Sequence, residues 1–252
     1  MKTNPHSVIS IELVPRSEAS IARDLEVLRR SFPATRMVNI PDLLRFDLRS
    51  WEACTTAIAN LDRALPHLRA MDFPLKAAGE LASRLRALGL SEALIVRGDA
   101  PQDLARPVHP TTSAELIRAL KEVDPDFRLY AVFDPYRHGL RSELDDVKDK
   151  IEAGAAGLFT QPFFDLEFMK VCADLLPDVE VFWGLAPVLT EGNRRYWEVK
   201  NRAFFPSRFE SSLEWNRAFA AECIEWAAAS ESNLYFMPIR LGLEEYLGGL
   251  IP

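Results

Sequence analysis

Cysteine is scarce in this 252-residue chain: Cys54, Cys172 and Cys223 are odd in number and widely spaced. A disulfide framework or a zinc knuckle needs cysteines in pairs, so neither is expected, and a reducing compartment fits the chain. The four histidines show no HExxH or other paired spacing, which argues against a metal site. Also missing are GxGxxG and GxxxxGK[ST] loops and a GxSxG elbow, which removes support for a Rossmann or P-loop nucleotide site and for a hydrolase nucleophile. Basic charge is in deficit, with 30 Lys and Arg against 37 Asp and Glu. A chain of net charge -7 presents no diffuse basic field to nucleic acid or an anionic membrane, although a local basic pocket is compatible with it. No apolar run approaches the ~20 residues of a membrane span, and the opening MKTNPHSV lacks the apolar centre of a signal peptide. The expectation is a soluble, cytoplasmic protein.

What is present is enough apolar residue, 48% of the chain, to bury one substantial core. Apolar runs rich in branched and aromatic residues alternate with segments of helical period, eight times over. The strand candidates are 7–14, 36–40, 67–73, 92–98, 128–134, 157–164, 179–188 and 233–240. Helical segments lie between them: 18–32 buries Ile21, Leu25 and Leu28, 74–88 buries Leu75, Leu81 and Leu85, and 142–153 carries Leu144, Val147 and Ile151. Parallel strands need a crossover helix between them, so the pattern predicts an α/β fold, a single-domain (β/α)8 TIM barrel over residues 1–252. The proline-rich stretch 100–112 reads as a long loop after the fourth strand, and 190–231 holds more than one helix with a break near Phe204, Phe205 and Pro206. The tail LEEYLGGLIP is short for an eighth helix, which leaves closure of the barrel and any homo-oligomer contact open at that point.

Barrel enzymes build their sites at the C-terminal strand ends, so polar residues there carry the most weight. Glu12 interrupts ISIELVP, Asp99 ends LIVRGD, Gln161 sits inside LFTQPFF and Arg240 closes LYFMPIR. An ionised carboxylate costs several kcal/mol to bury without a partner, so Glu12 is either a chemical group or half of an ion pair in the mouth. Gln161 either serves a ligand or satisfies backbone groups. Arg97-Gly98-Asp99 is by itself an ordinary strand-to-loop turn, though Gly98 lets backbone approach a ligand. His67 and His138 can contact phosphate, but a lone histidine is more often structural.

Taken in order, these fragments resemble the methylenetetrahydrofolate reductase family over nearly the whole chain. ISIELVPR is similar to that family's FEFFPP-type opening strand, IVRGD to its LRGD, and DVKDKIEAGAAGLFTQPFFD to its LKxKxxAGA…TQFFFD block. WGLAPV resembles GILPV, and YFMPIR stands in place of FYTLNR. The resemblance implies an oxidoreductase acting on the CH-NH group of a folate in one-carbon metabolism, a flavoprotein using FAD with NADH or NADPH. It implies that Glu12 is the acid that protonates the folate's bridging nitrogen and that Asp99 lies near flavin and pterin. Gln161, Asn193, Trp197 and Arg240 would meet substrate, with Arg240 on the glutamate carboxylate. Asn39, His67, Arg97, Gly98, Asp99, Phe133, Glu143 and Lys150 would hold the flavin. Several positions depart from the pattern: Asn39 replaces threonine, Phe133 a tyrosine, Glu143 an aspartate, Asn193 a glutamine and Trp197 a phenylalanine, and the loop 134–142 is shorter.

Other readings stay open. The ELVP opening also resembles flavin-free relatives that use NAD(P)H directly. A folate-binding methyltransferase barrel needs neither flavin nor hydride, and a non-catalytic partner subunit would keep only the barrel. Retention of Glu12, Asp99 and Gln161 together weighs against the last.

Overall fold

The computed structural model describes residues 7–99 and 107–252; the first half of the expected 100–112 loop lies outside the described residues. Eight parallel strands close into one barrel in sequence order, β1 (Ile9–Glu12), β2 (Met37–Ile40), β3 (Arg63–Arg69), β4 (Glu92–Val96), β5 (Arg128–Phe133), β6 (Gly157–Pro162), β7 (Glu180–Leu185) and β8 (Asn233–Phe236). Pairing of β1 with β8, Ser10 opposite Tyr235, closes it, so the short tail does not prevent closure. The crossover helices are α1 (Glu18–Ser31), α2 (Ser50–Ile58), α3 (Ala78–Ala87), α4 (Ser113–Val123), α5 (Leu140–Glu152), α6 (Leu166–Leu175), then α7 (Glu191–Lys200) and α8 (Leu213–Ser230) together after β7. The break expected near Phe204 to Pro206 separates the last two. A five-residue α9 (Leu243–Leu247) follows β8, with Tyr246 and Leu247 buried, and Arg217 donates to the carbonyls of Glu245, Tyr246 and Gly248.

Side chains alternate across each strand, and the two resulting faces bury different cores. Outward residues such as Ile11, Val38, Leu68, Ile95, Phe133 and Leu185 pack under the helices with Ile21, Leu25, Leu28, Leu81, Leu85 and Val147. Inward residues Met37, Leu65, Leu94, Tyr130, Phe159, Phe182 and Tyr235 fill the barrel, with Phe159 and Phe182 stacked 4.3 Å apart. A polar plug seals the N-terminal end: the Tyr130 hydroxyl donates to Glu180 at 2.8 Å, and Arg63 binds Glu92 at 2.8 Å. This end is filled, so the opposite rim is the open one.

Three expectations need correction. The third strand begins four residues earlier than read from the sequence, at Arg63, and Ala70–Asp72 is a tight 3₁₀ turn. Pro66, just before the expected start, lies buried within β3 opposite Ile40. Pairing of the eighth strand ends at Phe236, before Pro238, so Arg240 falls in a turn rather than closing a strand. Leu75 is 42% exposed, because it precedes α3 instead of lying on its inner stripe.

Candidate active site

Glu12 ends β1 and points into the barrel. Glu12 is half-buried, and the packing around its carboxyl raises its pKa to about 7 against the opposing pull of a hydrogen bond from Tyr235. That bond, from the Tyr235 hydroxyl to Glu12 Oε2, joins β8 to β1. Asn39, opposite Glu12 on β2, is fully buried; its Oδ1 accepts Ser10 Oγ at 2.9 Å, and its Nδ2 has no hydrogen-bond partner among the described residues. Among the described residues Glu12 has no ion-pair partner.

Beside this cluster the strand ends of β2 to β6 surround a cavity of about 570 Å³. Asp42, His67, Arg69, the turn Arg97-Gly98-Asp99, Asp134, Arg137, His138, Glu143, Lys150 and Gln161 all line it. The structure thus brings six of the expected cofactor residues and Gln161 to one place. Burial lowers the His67 pKa to about 4, partly offset by Asp42, so the imidazole is neutral; its buried Nε2 has no partner among the described residues. Gly98 has φ +87°, and an added Cβ would stand 3.0 Å from Met71 Cγ, so only glycine suits this turn. Glu143 accepts the Asp134 backbone N–H at 3.1 Å, and burial raises its pKa. Lys150 donates to the Val132 carbonyl at 2.8 Å and pairs with Asp146.

Gln161 is aimed by an irregularity in β6. The register with β7 shifts between Phe159 and Pro162, where Gly184 N donates to Thr160 Oγ1 at 2.8 Å and Thr160 Oγ1 donates to the Gln161 carbonyl at 2.8 Å. A Cβ on Gly184 would stand 2.6 Å from the Thr160 carbonyl, so the shift depends on that glycine.

Six expected residues do not line the cavity: Glu12 and Asn39 belong to the separate cluster on β1 and β2, and Phe133, Trp197, Arg240 and Asn193 lie elsewhere. Phe133 faces the helices in the outer core, and the mouth-facing neighbours on β5 are Val132 and Asp134; alternation puts it on the wrong side to pack on a cofactor in the cavity. Trp197 is buried in an aromatic cluster, 5.7 Å edge-to-face from Phe164, and offers no face to the cavity. Arg240 is exposed, in a left-handed backbone conformation at φ +59°, outside the cavity. Asn193, half-buried in the first turn of α7, does not line it either. The sequence reading missed Tyr235 and Arg69. Arg69 interrupts an apolar run as Glu12 does; Tyr235 carries no such signal, because only the β1–β8 register, which sets Ser10 opposite Tyr235, brings it to Glu12.

A model of the family described as methylenetetrahydrofolate reductase matches residues 51–218. The chain belongs to the methylenetetrahydrofolate reductase family. The matched span holds β3 to β7 and the cavity-lining residues from His67 to Gln161, while Glu12, Tyr235 and the cavity-lining Pro41, Asp42 and Leu43 lie outside it. A 5,10-methylenetetrahydrofolate reductase of Pectobacterium carotovorum subsp. carotovorum is 33% identical over 132 residues, covering 50% of this chain and 44% of that protein. The namesake from Escherichia coli (strain K12) is 30% identical over the same length and shares. The match therefore spans less than half the length of these relatives. Among solved structures, an uncharacterized Clostridium thermocellum protein that binds two copies of 5-methyl-5,6,7,8-tetrahydrofolic acid superposes with a TM-score of 0.62 at 15% identity, covering 96% of this chain and 93% of that one. Oxaloacetate acetylhydrolase superposes at 0.57 with 12% identity, covering 94% of this chain and 77% of that one. At such identities the likeness is one of fold. Among the described residues no helix is long and apolar enough to cross a membrane, and no cluster of His, Cys, Asp and Glu is arranged to hold a metal ion.

Proposed function

We propose that this chain interconverts 5,10-methylenetetrahydrofolate and 5-methyltetrahydrofolate by hydride transfer, with NAD(P)H as donor and FAD in the cavity, residues 1–252 acting as one catalytic barrel. The observation that carries the reading is Glu12, a carboxyl at a strand's C-terminal end that stays half-protonated near pH 7 in a member of this family. A general acid works best when its pKa lies near the working pH. Glu12 gives its proton to the folate's bridging nitrogen, the ring C–N bond breaks toward the other ring nitrogen's iminium, and hydride then arrives at that carbon. Gln161 offers both a donor and an acceptor to the pterin edge or the nicotinamide amide. Asp99 stands at the rim between the two ligands, and Asn193 and Arg240 meet the outer part of the folate.

The cavity's donor set fits a flavin. His67 Nε2 is an orphaned polar atom on its wall, the Gly98 turn brings backbone to its edge, and Arg97, Arg137 and His138 supply charge and donors for phosphates. His67, Arg97, Gly98, Asp99, Glu143 and Lys150 would hold the cofactor, with Asn39 beneath. FAD, when bound, supplies the two-electron relay between NAD(P)H and folate. A second reading, direct hydride transfer without flavin, is favoured by the outward turn of Phe133 and by the ties that hold Lys150 to Val132 and Asp146.

The purified protein's visible spectrum and its NAD(P)H oxidation with and without 5,10-methylenetetrahydrofolate test both. Flavin bands with folate-dependent oxidation are expected. Turnover by a colourless protein that FAD does not stimulate selects the second reading, and absence of folate-dependent oxidation overturns both.

A further inference from the structure

The Glu12 carboxyl is one of three polar side chains that three adjacent strands bring together inside the barrel. The β1–β8 register sets Ser10 opposite Tyr235, and the β1–β2 register sets Glu12 opposite Asn39. Tyr235 is 4% exposed, and its hydroxyl donates to Glu12 Oε2. The Asn39 amide is oriented by Ser10 Oγ on Oδ1, which leaves Nδ2 beside the Tyr235 oxygen, short of a full hydrogen bond. A phenol that donates to one carboxyl oxygen makes that oxygen the carbonyl-like one in the neutral acid.

We infer that Tyr235 is a positioning residue for Glu12: by occupying Oε2 it confines the transferable proton to Oε1, and by stabilising the carboxylate it sets the pH range over which that proton is held. The inference rests on the reading of Glu12 as proton donor. On transfer, the Oε1–H bond breaks, the proton goes to the substrate nitrogen, and the electron pair stays on the carboxylate, whose charge the Tyr235 O–H meets at Oε2. Tyr235 does not ionise in this step, because burial and the neighbouring carboxylate push its own pKa well up. The groups that face Glu12 are few. Tyr235 comes from β8, uncharged Asn39 from β2, and His67, kept neutral by burial, stands on β3 beyond it. Among the described residues these neighbours supply no cation, and the Tyr235 phenol stabilises the carboxylate.

Two measurements test the pairing. In protein labelled with ¹³C at tyrosine Cζ, the Tyr235 resonance should step with a midpoint near 7 as Glu12 ionises, and Glu12→Gln should abolish that step. A wild-type Tyr235 resonance that stays flat through this range overturns the inference without any change at position 235. In Tyr235→Phe the limb of the pH–rate profile for folate turnover that reports Glu12 should move up by roughly one pH unit, the margin by which a hydrogen bond to the carboxylate exceeds one to the neutral acid. The KM for folate should change little. An unmoved limb also overturns the inference. If Glu12→Gln abolishes the resonance step yet keeps folate turnover, the pairing stands and the proton-donor reading of Glu12 falls.

Discussion

Arg69 Nη2 donates to the Asp99 carbonyl at 2.6 Å, while its Nε reaches the two Asp72 carboxylate oxygens at 3.3 and 3.2 Å. This buried guanidinium ties the end of β3 to the Arg97-Gly98-Asp99 turn after β4, and the Met71 N–H adds a second tie to the Arg97 carbonyl at 3.3 Å. The position of Asp99 at the rim is therefore set from β3.

Arg69→Leu leaves the Asp99 carbonyl without this donor, and among the described residues Asp72 keeps Arg49, at 3.3 Å, as its ion-pair partner. We expect a loss of roughly 2–4 kcal/mol in urea unfolding, below the full cost of a broken buried ion pair because Arg49 remains. Flavin or folate affinity should fall as well. Unchanged stability would mean that the turn holds itself.

His67 and Glu12 pull stability in opposite directions with pH. The folded-state pKa of His67 is lowered to about 4 from 6.5, so its contribution is present above about pH 6.5 and is lost as pH falls toward 4. That of Glu12 is raised to about 7 from 4.5, so its contribution is present below about pH 4.5 and is lost as pH rises through 7. Each is worth up to roughly 3 kcal/mol, and the two largely cancel in the wild type. Relative to wild type, ligand-free Glu12→Gln should gain stability as pH rises from about 4.5 to 7, and His67→Leu should gain as pH falls from about 6.5 to 4. Chemical unfolding across that range checks it; parallel curves for all three proteins would refute both shifts.

Trp197→Ala should act as a core truncation. With Phe164 beside it, Phe205 and Phe209 in the same cluster, and little exposure, removal of the indole should cost about 3–5 kcal/mol of stability. Ligand affinity at a temperature where the variant stays folded should be nearly unchanged. A stable variant with weakened folate binding would restore the stacking role implied by the family resemblance.

The barrel was legible because every parallel strand carries its own apolar run, and alternation with amphipathic helices leaves few other folds. Strand ends were harder to read. Pro66 lies inside β3 although proline usually marks an edge, and Pro238 ends β8 while the apolar letters continue to Ile239. Site residues set at strand ends inherit that uncertainty: Phe133 is one position from Val132 and Asp134, both of which line the cavity, yet it faces the helices. Glu12 stood out as a carboxylate in an apolar run. Tyr235 did not, because tyrosine is at home in a strand and only the β1–β8 register shows what it touches. Position in a motif points Trp197 at substrate, but the cluster that buries it forms from segments far apart in sequence, Phe164, Phe209 and Trp215 among them.

The central claim is that Glu12 supplies the proton for folate chemistry and takes no part in accepting hydride from NAD(P)H. Glu12→Gln, assayed separately for folate turnover and for NAD(P)H oxidation by an artificial electron acceptor, tests it most directly. The account predicts a fall of ~10²-fold or more in folate turnover with the second activity largely intact. An equal fall in both, or full folate turnover in the variant, would contradict it.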